Sequence, residues 1–169
     1  LIAIGSWIHR TFYRRVGAPS DSLSNLSHPL QQYKLLVEDS SQRLWCSQYK
    51  SLFGFFCTAA GIKNRYIDAV PVDSMYAGYH GLNEAYLPEL KIWVMADVTR
   101  NILLLKDRQS FLSAAGYYQY RTQDKSDTLT LFRGTDSSYQ VSLSPRVINA
   151  KDGYFNKGYM LRYYYSIHL

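Results

Sequence analysis

Three residues of types that cooperate in nucleophilic catalysis follow one another along the chain: Cys46, His80 and Asp97. A free thiol is mostly protonated at neutral pH, and a helix N-terminus or an adjacent imidazolium favours the reactive thiolate. An aspartate holds the imidazole in one tautomer and stabilises its charged form. The thiolate attacks a carbonyl carbon, and water or an amine then accepts the acyl group. We therefore predict Cys46 as nucleophile, His80 as base and Asp97 as the orienting acid.

The element that must position the nucleophile is an amphipathic helix, which we predict from about residue 42 to residue 60. Gly61 is its expected stop, and three preceding polar residues are candidate caps: Asp39, Ser40 and Ser41. Residues with helical spacing form one continuous face: Cys46, Tyr49, Phe53, Phe56, Cys57 and Ala60. We expect this face to pack against a sheet. The backbone N–H of Cys46 is a natural oxyanion donor, and Gln42 is a candidate second donor.

The base and the orienting acid fall on a predicted hairpin over residues 79–98, with strands Tyr79–Leu87 and Lys91–Val98. If His80 and Asp97 are directly opposed, the turn falls on Pro88 and Glu89, or on a four-residue loop with the same register. Opposed residues have Cβ atoms about 4.5–5.5 Å apart, and a shift of one residue would send the two side chains to opposite faces. The hairpin therefore predicts a carboxylate beside the imidazole.

The remaining patterns predict an α+β protein with N-terminal helices and a β-rich C-terminal part. Residues 1–116 are the predicted core, and residues 117–169 are either an extension of the same sheet or a small appended module. The other predicted helices are Leu1–Val16, Gln31–Val37 and Asp107–Ala115, and Gly17–Pro29 is a predicted loop. The other predicted strands are Arg65–Val72, Tyr117–Tyr120, Thr128–Arg133, Tyr139–Ser144 and Lys157–Ile167, with a turn cluster at Gly134–Ser138.

Composition narrows the classes of partner. The chain has 169 residues and a net charge of +6, but its basic residues are scattered and the nearest patch is Arg10, Arg14 and Arg15. No nucleic-acid-binding signature is present. Because of the basic excess, binding of an acidic polymer is kept as an alternative function. No apolar run of about 18 residues predicts a membrane span within this chain. Because the chain begins at Leu1 rather than at methionine, we expect it to be part of a longer protein. The cellular compartment is not predicted.

The second cysteine and the other histidines carry no predicted chemistry. Cys57 lies among apolar residues, and about 16 Å of helix would separate it from Cys46, too far for a disulfide. No histidine or cysteine pair has metal-ligand spacing, so we predict no metal and no cofactor. Taken singly, the three candidates have structural explanations: a core cysteine, a strand histidine and an aspartate that caps a strand end.

The order and context of the three residues resemble the transglutaminase-like superfamily, over roughly Leu44 to Thr99. Residues 60–66 match a Gly-Ile-x-x-Arg-Tyr strand that follows the nucleophile helix in this family. Residues 80–88 look like its His-x-x-Asn-Glu-Val-Tyr strand, and residues 93–99 look like its Trp-Val-x-x-Asp-x-Thr strand. The spacings, 34 residues from cysteine to histidine and 17 from histidine to aspartate, are similar too.

The resemblance implies a papain-like fold and the roles predicted above for Cys46, His80 and Asp97. The expected activity is cysteine-dependent acyl transfer or amide hydrolysis on a peptide or protein substrate. Two positions depart from the family pattern: Trp45 replaces a frequent glycine, and Leu82 replaces a usual tryptophan. Since some members of the family have lost activity, the alternative is a non-catalytic binding or scaffold domain of a larger protein.

Overall fold

Helices and an antiparallel sheet make up the protein, which we describe from a computed structural model over residues 1–71, 80–106, 110–123, 129–134, 141–147 and 159–165. The helices are α1 (Ile2–Phe12), α2 (Asp21–Ser24), α3 (Pro29–Glu38), α4 (Cys46–Ala59) and α5 (Ala114–Thr122). The strands are β1 (Asn64–Pro71), β2 (His80–Leu87), β3 (Ile92–Asp97), β4 (Ile102–Lys106), β5 (Ser110–Phe111), β6 (Leu129–Gly134), β7 (Val141–Val147) and β8 (Tyr159–Tyr165). The prediction of an α+β protein is confirmed.

The strands form one sheet with the order β7-β6-β4-β3-β2-β1-β8, and β5 pairs with β4. All described pairs are antiparallel. The strands after residue 129 therefore join the sheet that contains β2 and β3. The predicted boundary between the core and the C-terminal part, after residue 116, falls inside α5.

Two apolar clusters cover the two faces of the central strands. On β3, Val94 and Ala96 point to the cluster built with α1, α3 and α4, whereas Met95 points to the opposite cluster. The second cluster also contains Leu82 and residues at the start of α5. This alternation follows from the two-residue period of a strand, and it buries both faces of β3. The helix face predicted to lie on the sheet is buried at three positions, Tyr49, Phe53 and Cys57, but Ala60 is exposed.

Helix α4 begins four residues later than predicted, with Trp45 as its N-cap residue and Cys46 as its first residue. The side chain of Gln48 accepts the N–H of Trp45 at 3.0 Å, which satisfies a backbone donor at the helix start. Asp39 does not cap α4. Its carboxylate accepts the N–H of Ser41 at 2.9 Å, a local turn that competes with helix formation. The predicted helix end near Gly61 is confirmed: α4 ends at Ala59, and Gly61 adopts a positive φ of 73°.

The predicted hairpin register is wrong by two residues. The structure pairs Tyr86 with Trp93 and Leu87 with Ile92, so residues 88–91 form a four-residue loop. A turn begins at Leu87, whose carbonyl accepts the N–H of Leu90 at 3.2 Å, and Lys91 then adopts a positive φ of 53°. Four-residue hairpin loops are most often built around a type I turn, which accommodates proline after its first residue.

Secondary structure predicted from local residue propensity is also wrong between residues 102 and 122. Strand β4 was not predicted, the expected helix end at Ala115 is the start of α5, and Tyr117–Tyr120 is helical rather than extended. The carboxylate of Glu84 accepts the N–H of Ala114 at 2.6 Å and so caps α5 from the sheet. The side chain of Ser113 also accepts the N–H of Gly116 at 3.0 Å, so a local and a distant cap together stabilise the helix against the β-propensity of the tyrosines.

Smaller differences concern the N-terminal region. Helix α1 ends at Phe12 and a 3₁₀ turn follows over Tyr13–Arg15, while the short helix α2 lies in the predicted loop. Tyr79, Asp107 and residues 135–138 of the predicted turn cluster lie outside the described residues.

Candidate active site

Cys46 is the first residue of α4 and is partly exposed. The segment before Cys46 is held by the residues that follow α1. Leu44 donates its N–H to the carbonyl of Arg15 at 2.8 Å, and its own carbonyl accepts the N–H of Gly17 at 3.0 Å. The first N–H groups of a helix have no intrahelical acceptor, and the helix dipole favours negative charge there. A thiolate at Cys46 therefore lies where the backbone itself stabilises an anion.

His80 and Asp97 form a buried pair at the ends of two neighbouring strands. His80 begins β2, Asp97 ends β3, and Nε2 lies 3.0 Å from Oδ2. The two residues are 8% and 5% exposed, so little water competes for this hydrogen bond. A carboxylate only accepts hydrogen bonds, so Nε2 of His80 carries a proton. The second oxygen of Asp97 accepts the N–H of Arg100 at 3.3 Å, which orients the carboxylate.

Cys46 completes the arrangement through a hydrogen bond between its sulfur and the imidazole of His80. Because Asp97 occupies Nε2, Nδ1 is the ring nitrogen that remains for a hydrogen bond with the sulfur. The structure thus brings together the three side chains predicted from the sequence, in the order thiol, imidazole, carboxylate. The sulfur also accepts a hydrogen bond from the backbone N–H of Gly81, the residue after the histidine.

The electrostatics of the site favour a charged pair. Burial raises the pKa of the Cys46 thiol, but the hydrogen bonds from His80 and Gly81 and the charges of His80 and Lys50 lower it below the ordinary 9.0. Burial alone would lower the pKa of His80. The hydrogen bond and charge of Asp97, together with Cys46, raise that pKa from 6.5 to about 9. Both shifts favour the charged pair, a thiolate beside an imidazolium, over the neutral pair.

Helix α4 is docked tightly on β2 beside this pair. Asn83 donates from its side chain to the carbonyl of Lys50 at 3.1 Å. A Cβ on Gly81 would lie only 3.2 Å from Cδ of Lys50 and 3.4 Å from the carbonyl oxygen of Cys46. The glycine therefore lets the helix start approach the strand closely enough for the backbone N–H to reach the sulfur.

Gln42 does not have the geometry expected of an oxyanion donor. Its amide nitrogen donates to Asp39 at 2.6 Å and its oxygen accepts the hydroxyl of Ser20. Gly81 and Lys50 were missed in the sequence. The helical spacing of four residues between Cys46 and Lys50 was the only signal for Lys50, whereas the role of Gly81 depends on a backbone contact between elements.

The second cysteine lies in the core, as predicted. Cys57 is fully buried, both cysteines are free thiols, and burial raises the pKa of Cys57 to about 12. Across the described residues, no three histidine, cysteine, aspartate or glutamate side chains are placed to share a metal ion. In the same residues, no helix has the length and apolar character needed to cross a membrane.

Comparison with known proteins identifies no relative. No protein-family model matches the chain, and no match is found among curated proteins or solved structures.

Proposed function

We propose that the protein is a cysteine-dependent enzyme that transfers acyl groups or hydrolyses amides on a peptide or protein substrate. The observation that supports this proposal best is the hydrogen-bonded chain from Cys46 through His80 to Asp97 at a helix N-terminus. It combines a lowered thiol pKa, a raised imidazole pKa and a buried orienting carboxylate. Each of these is a recognised route to an activated nucleophile.

The proposed fold is a papain-like, transglutaminase-type core. Support comes from the start of α4 at the nucleophile and from its packing on an antiparallel sheet whose adjacent strands carry the base and the acid. Leu82, where the family usually has tryptophan, is buried in the cluster with Ile67 and Met95. The change from tryptophan to leucine at this position therefore affects the packing of the core on that face of the sheet.

In the proposed reaction the thiolate of Cys46 attacks the carbonyl carbon of an amide. The carbonyl oxygen becomes an oxyanion, for which the N–H of Cys46 at the helix start is the proposed backbone donor. His80, as imidazolium, protonates the leaving amine while the C–N bond breaks, which leaves a thioester and a neutral imidazole. His80 then takes a proton from water or from an acceptor amine as that nucleophile attacks the thioester. Release of the product restores the thiolate and the imidazolium.

An activated ester tests this proposal without knowledge of the natural substrate. With p-nitrophenyl acetate, we expect a burst of p-nitrophenol and an acetyl group on Cys46, located by peptide mass spectrometry. Cys46→Ala should abolish both, and His80→Ala should reduce them strongly. Adding a primary amine and detecting the acetylated amine would distinguish transfer from hydrolysis. A wild-type protein that acquires no acetyl group on Cys46 would contradict the proposal.

The second candidate is a binding or scaffold domain that retains the site without turnover. The observation that favours it is Trp45, which precedes the nucleophile and is 54% exposed. A large exposed aromatic ring suits contact with a partner. This candidate predicts that peptides bind with equal affinity to wild type and Cys46→Ala, and that no thioester forms.

A further inference from the structure

A charged pair on the side of α4 lies beside the proposed nucleophile. Lys50 is four residues after Cys46, so the two side chains are neighbours on one helix face. Its Nζ pairs with Oδ1 of Asp68 on β1 at 2.5 Å and lies 5.6 Å from the ring centre of Tyr66. The side chains of Lys50 and Asp68 are only 13% and 16% exposed, so water screens them weakly.

The stem of Lys50 also contacts the strand that carries the base. Its Cδ and Cε lie 3.2 and 3.4 Å from the place where a Cβ of Gly81 would be, so the stem occupies the space left by the glycine. Gly81 is the residue whose N–H donates to the sulfur of Cys46. One side chain thus packs beside a hydrogen-bond donor of the thiolate and contributes a positive charge that favours the thiolate.

We propose that Lys50 is a positioning residue for the Cys46 thiolate, and that Asp68 holds it and moderates its charge. This inference rests on the proposed function, because it concerns the same nucleophile. Lys50 contributes an attractive charge and a packed stem, while Asp68, paired with Nζ, offsets part of that charge. Among the described residues, the other charged groups that act on the thiol are His80 directly and Asp97 through His80.

The two charges make opposite predictions for single substitutions. Lys50→Met keeps most of the stem and removes the positive charge, so the thiolate should become less favourable. Asp68→Asn removes the negative charge and leaves the lysine, so the thiolate should become more favourable. A purely structural role of the pair predicts instead that both substitutions disturb the site in the same direction. The sign of the two effects therefore separates the two explanations.

The test is the rate of iodoacetamide alkylation of Cys46 as a function of pH, with Cys46→Ala to measure any reaction at Cys57. At pH 6 we expect Lys50→Met to react about threefold more slowly than wild type, as for a thiol with a moderately higher pKa. Asp68→Asn should react faster, and Lys50→Arg, which keeps the charge, should resemble wild type. At high pH, where every thiol is ionised, all rates should converge, which excludes a change in access.

Equal rates for Lys50→Met and wild type, or shifts of the same sign in Lys50→Met and Asp68→Asn, would overturn the inference. Failure of the proposed function has a different signature. In that case His80→Ala would alkylate at the wild-type rate, whatever the two charge variants do.

Discussion

Asp97 reaches His80 diagonally across the sheet rather than from the opposite position. The ladder between β2 and β3 ends with the pair Asn83 and Ala96, and its register places Asp97 level with Leu82. His80 is two residues further along β2, yet its Nε2 lies 3.0 Å from Oδ2 of Asp97. The ladder stops where Cys46 approaches the same histidine and its neighbour Gly81. On the β3 side, pairing therefore ends before His80, while on the other side β2 stays paired with β1 through Ala69 and His80.

The orienting role of Asp97 predicts a selective defect in Asp97→Asn. The carboxylate raises the pKa of His80 through a hydrogen bond and its charge, so the amide should lower that pKa from about 9 toward 6.5. Activity on an activated ester should fall by about 10²–10⁴-fold at neutral pH, because the base loses its orientation and its charged form. Titration of the His80 ring by NMR measures the first effect. An unchanged His80 titration would contradict the assignment.

The coupled titration of Cys46 and His80 predicts how stability depends on pH. His80 has a folded pKa raised from 6.5 to about 9, so its contribution is complete below pH 6.5 and is lost as the pH rises to about 9. The folded pKa of Cys46 is lowered, so its contribution is complete above 9.0 and is lost as the pH falls through its folded value. The two slopes oppose each other in the wild type.

Removing Cys46 abolishes the opposing slope and part of the His80 shift, so in the variant Asp97 holds the pKa of His80 above 6.5 but below its wild-type value. From pH 6.5 up to the folded pKa of His80 in the variant, the unfolding free energy of Cys46→Ala should therefore decrease with pH more steeply than that of wild type. Urea unfolding at several pH values in this range measures the difference. Parallel curves for the two proteins would show that thiol and imidazole do not interact.

Crowding at Gly81 predicts a reactivity defect in Gly81→Ala. The added methyl would meet Lys50 at 3.2 Å and the carbonyl of Cys46 at 3.4 Å, so the strand and the helix start must separate slightly. We expect a loss of about 1–3 kcal/mol of stability and severalfold slower alkylation of Cys46 at pH 6. Gly116→Ala is the matched control, since its methyl would lie 3.2 Å from Leu112, away from Cys46. Equal alkylation rates in both variants would refute the role of the Gly81 N–H.

The buried carboxylate of Glu84 predicts a large stability loss in Glu84→Gln. Glu84 is fully buried, pairs with Arg65 through Nε at 2.6 Å and caps α5 through the N–H of Ala114. The amide removes the charge that neutralises Arg65 and cannot present two acceptor oxygens to these donors. The cost should be about 3–5 kcal/mol in urea unfolding. The exposed Glu89→Gln should change stability by less than about 0.5 kcal/mol, and a comparable effect in Glu84→Gln would contradict this account.

The relation between His80 and Asp97 shows which part of the site the sequence can predict. Alternation along a strand decides which side chains share a face, and an error of two residues in register preserves that relation. The sequence therefore predicts that His80 and Asp97 lie on one face of the hairpin. It does not predict their exact offset, because that offset depends on whether the turn uses two residues or four at Pro88.

Contacts between distant elements account for the remaining errors. The tyrosines at 117–120 have β-propensity, but α5 forms with two caps. Glu84, far away in the chain, accepts the N–H of Ala114, and Ser113 accepts the N–H of Gly116 at 3.0 Å. Gly81 likewise has no local mark of function, since its N–H acquires a role only when α4 packs against β2. Tertiary structure decides the role of Gly81 and supplies the Glu84 cap of α5, whereas the Ser113 cap is a local feature of the sequence.

The central claim is that His80 activates Cys46, and the alkylation rate of Cys46 at pH 6 tests it most directly. With iodoacetamide, wild-type Cys46 should react at least about tenfold faster than in His80→Ala, because the variant loses the hydrogen bond and the charge that lower the thiol pKa. The two rates should converge above the ordinary thiol pKa, and the urea-unfolded protein supplies the unactivated reference. Equal rates at pH 6 in wild type, His80→Ala and the unfolded reference would contradict the claim.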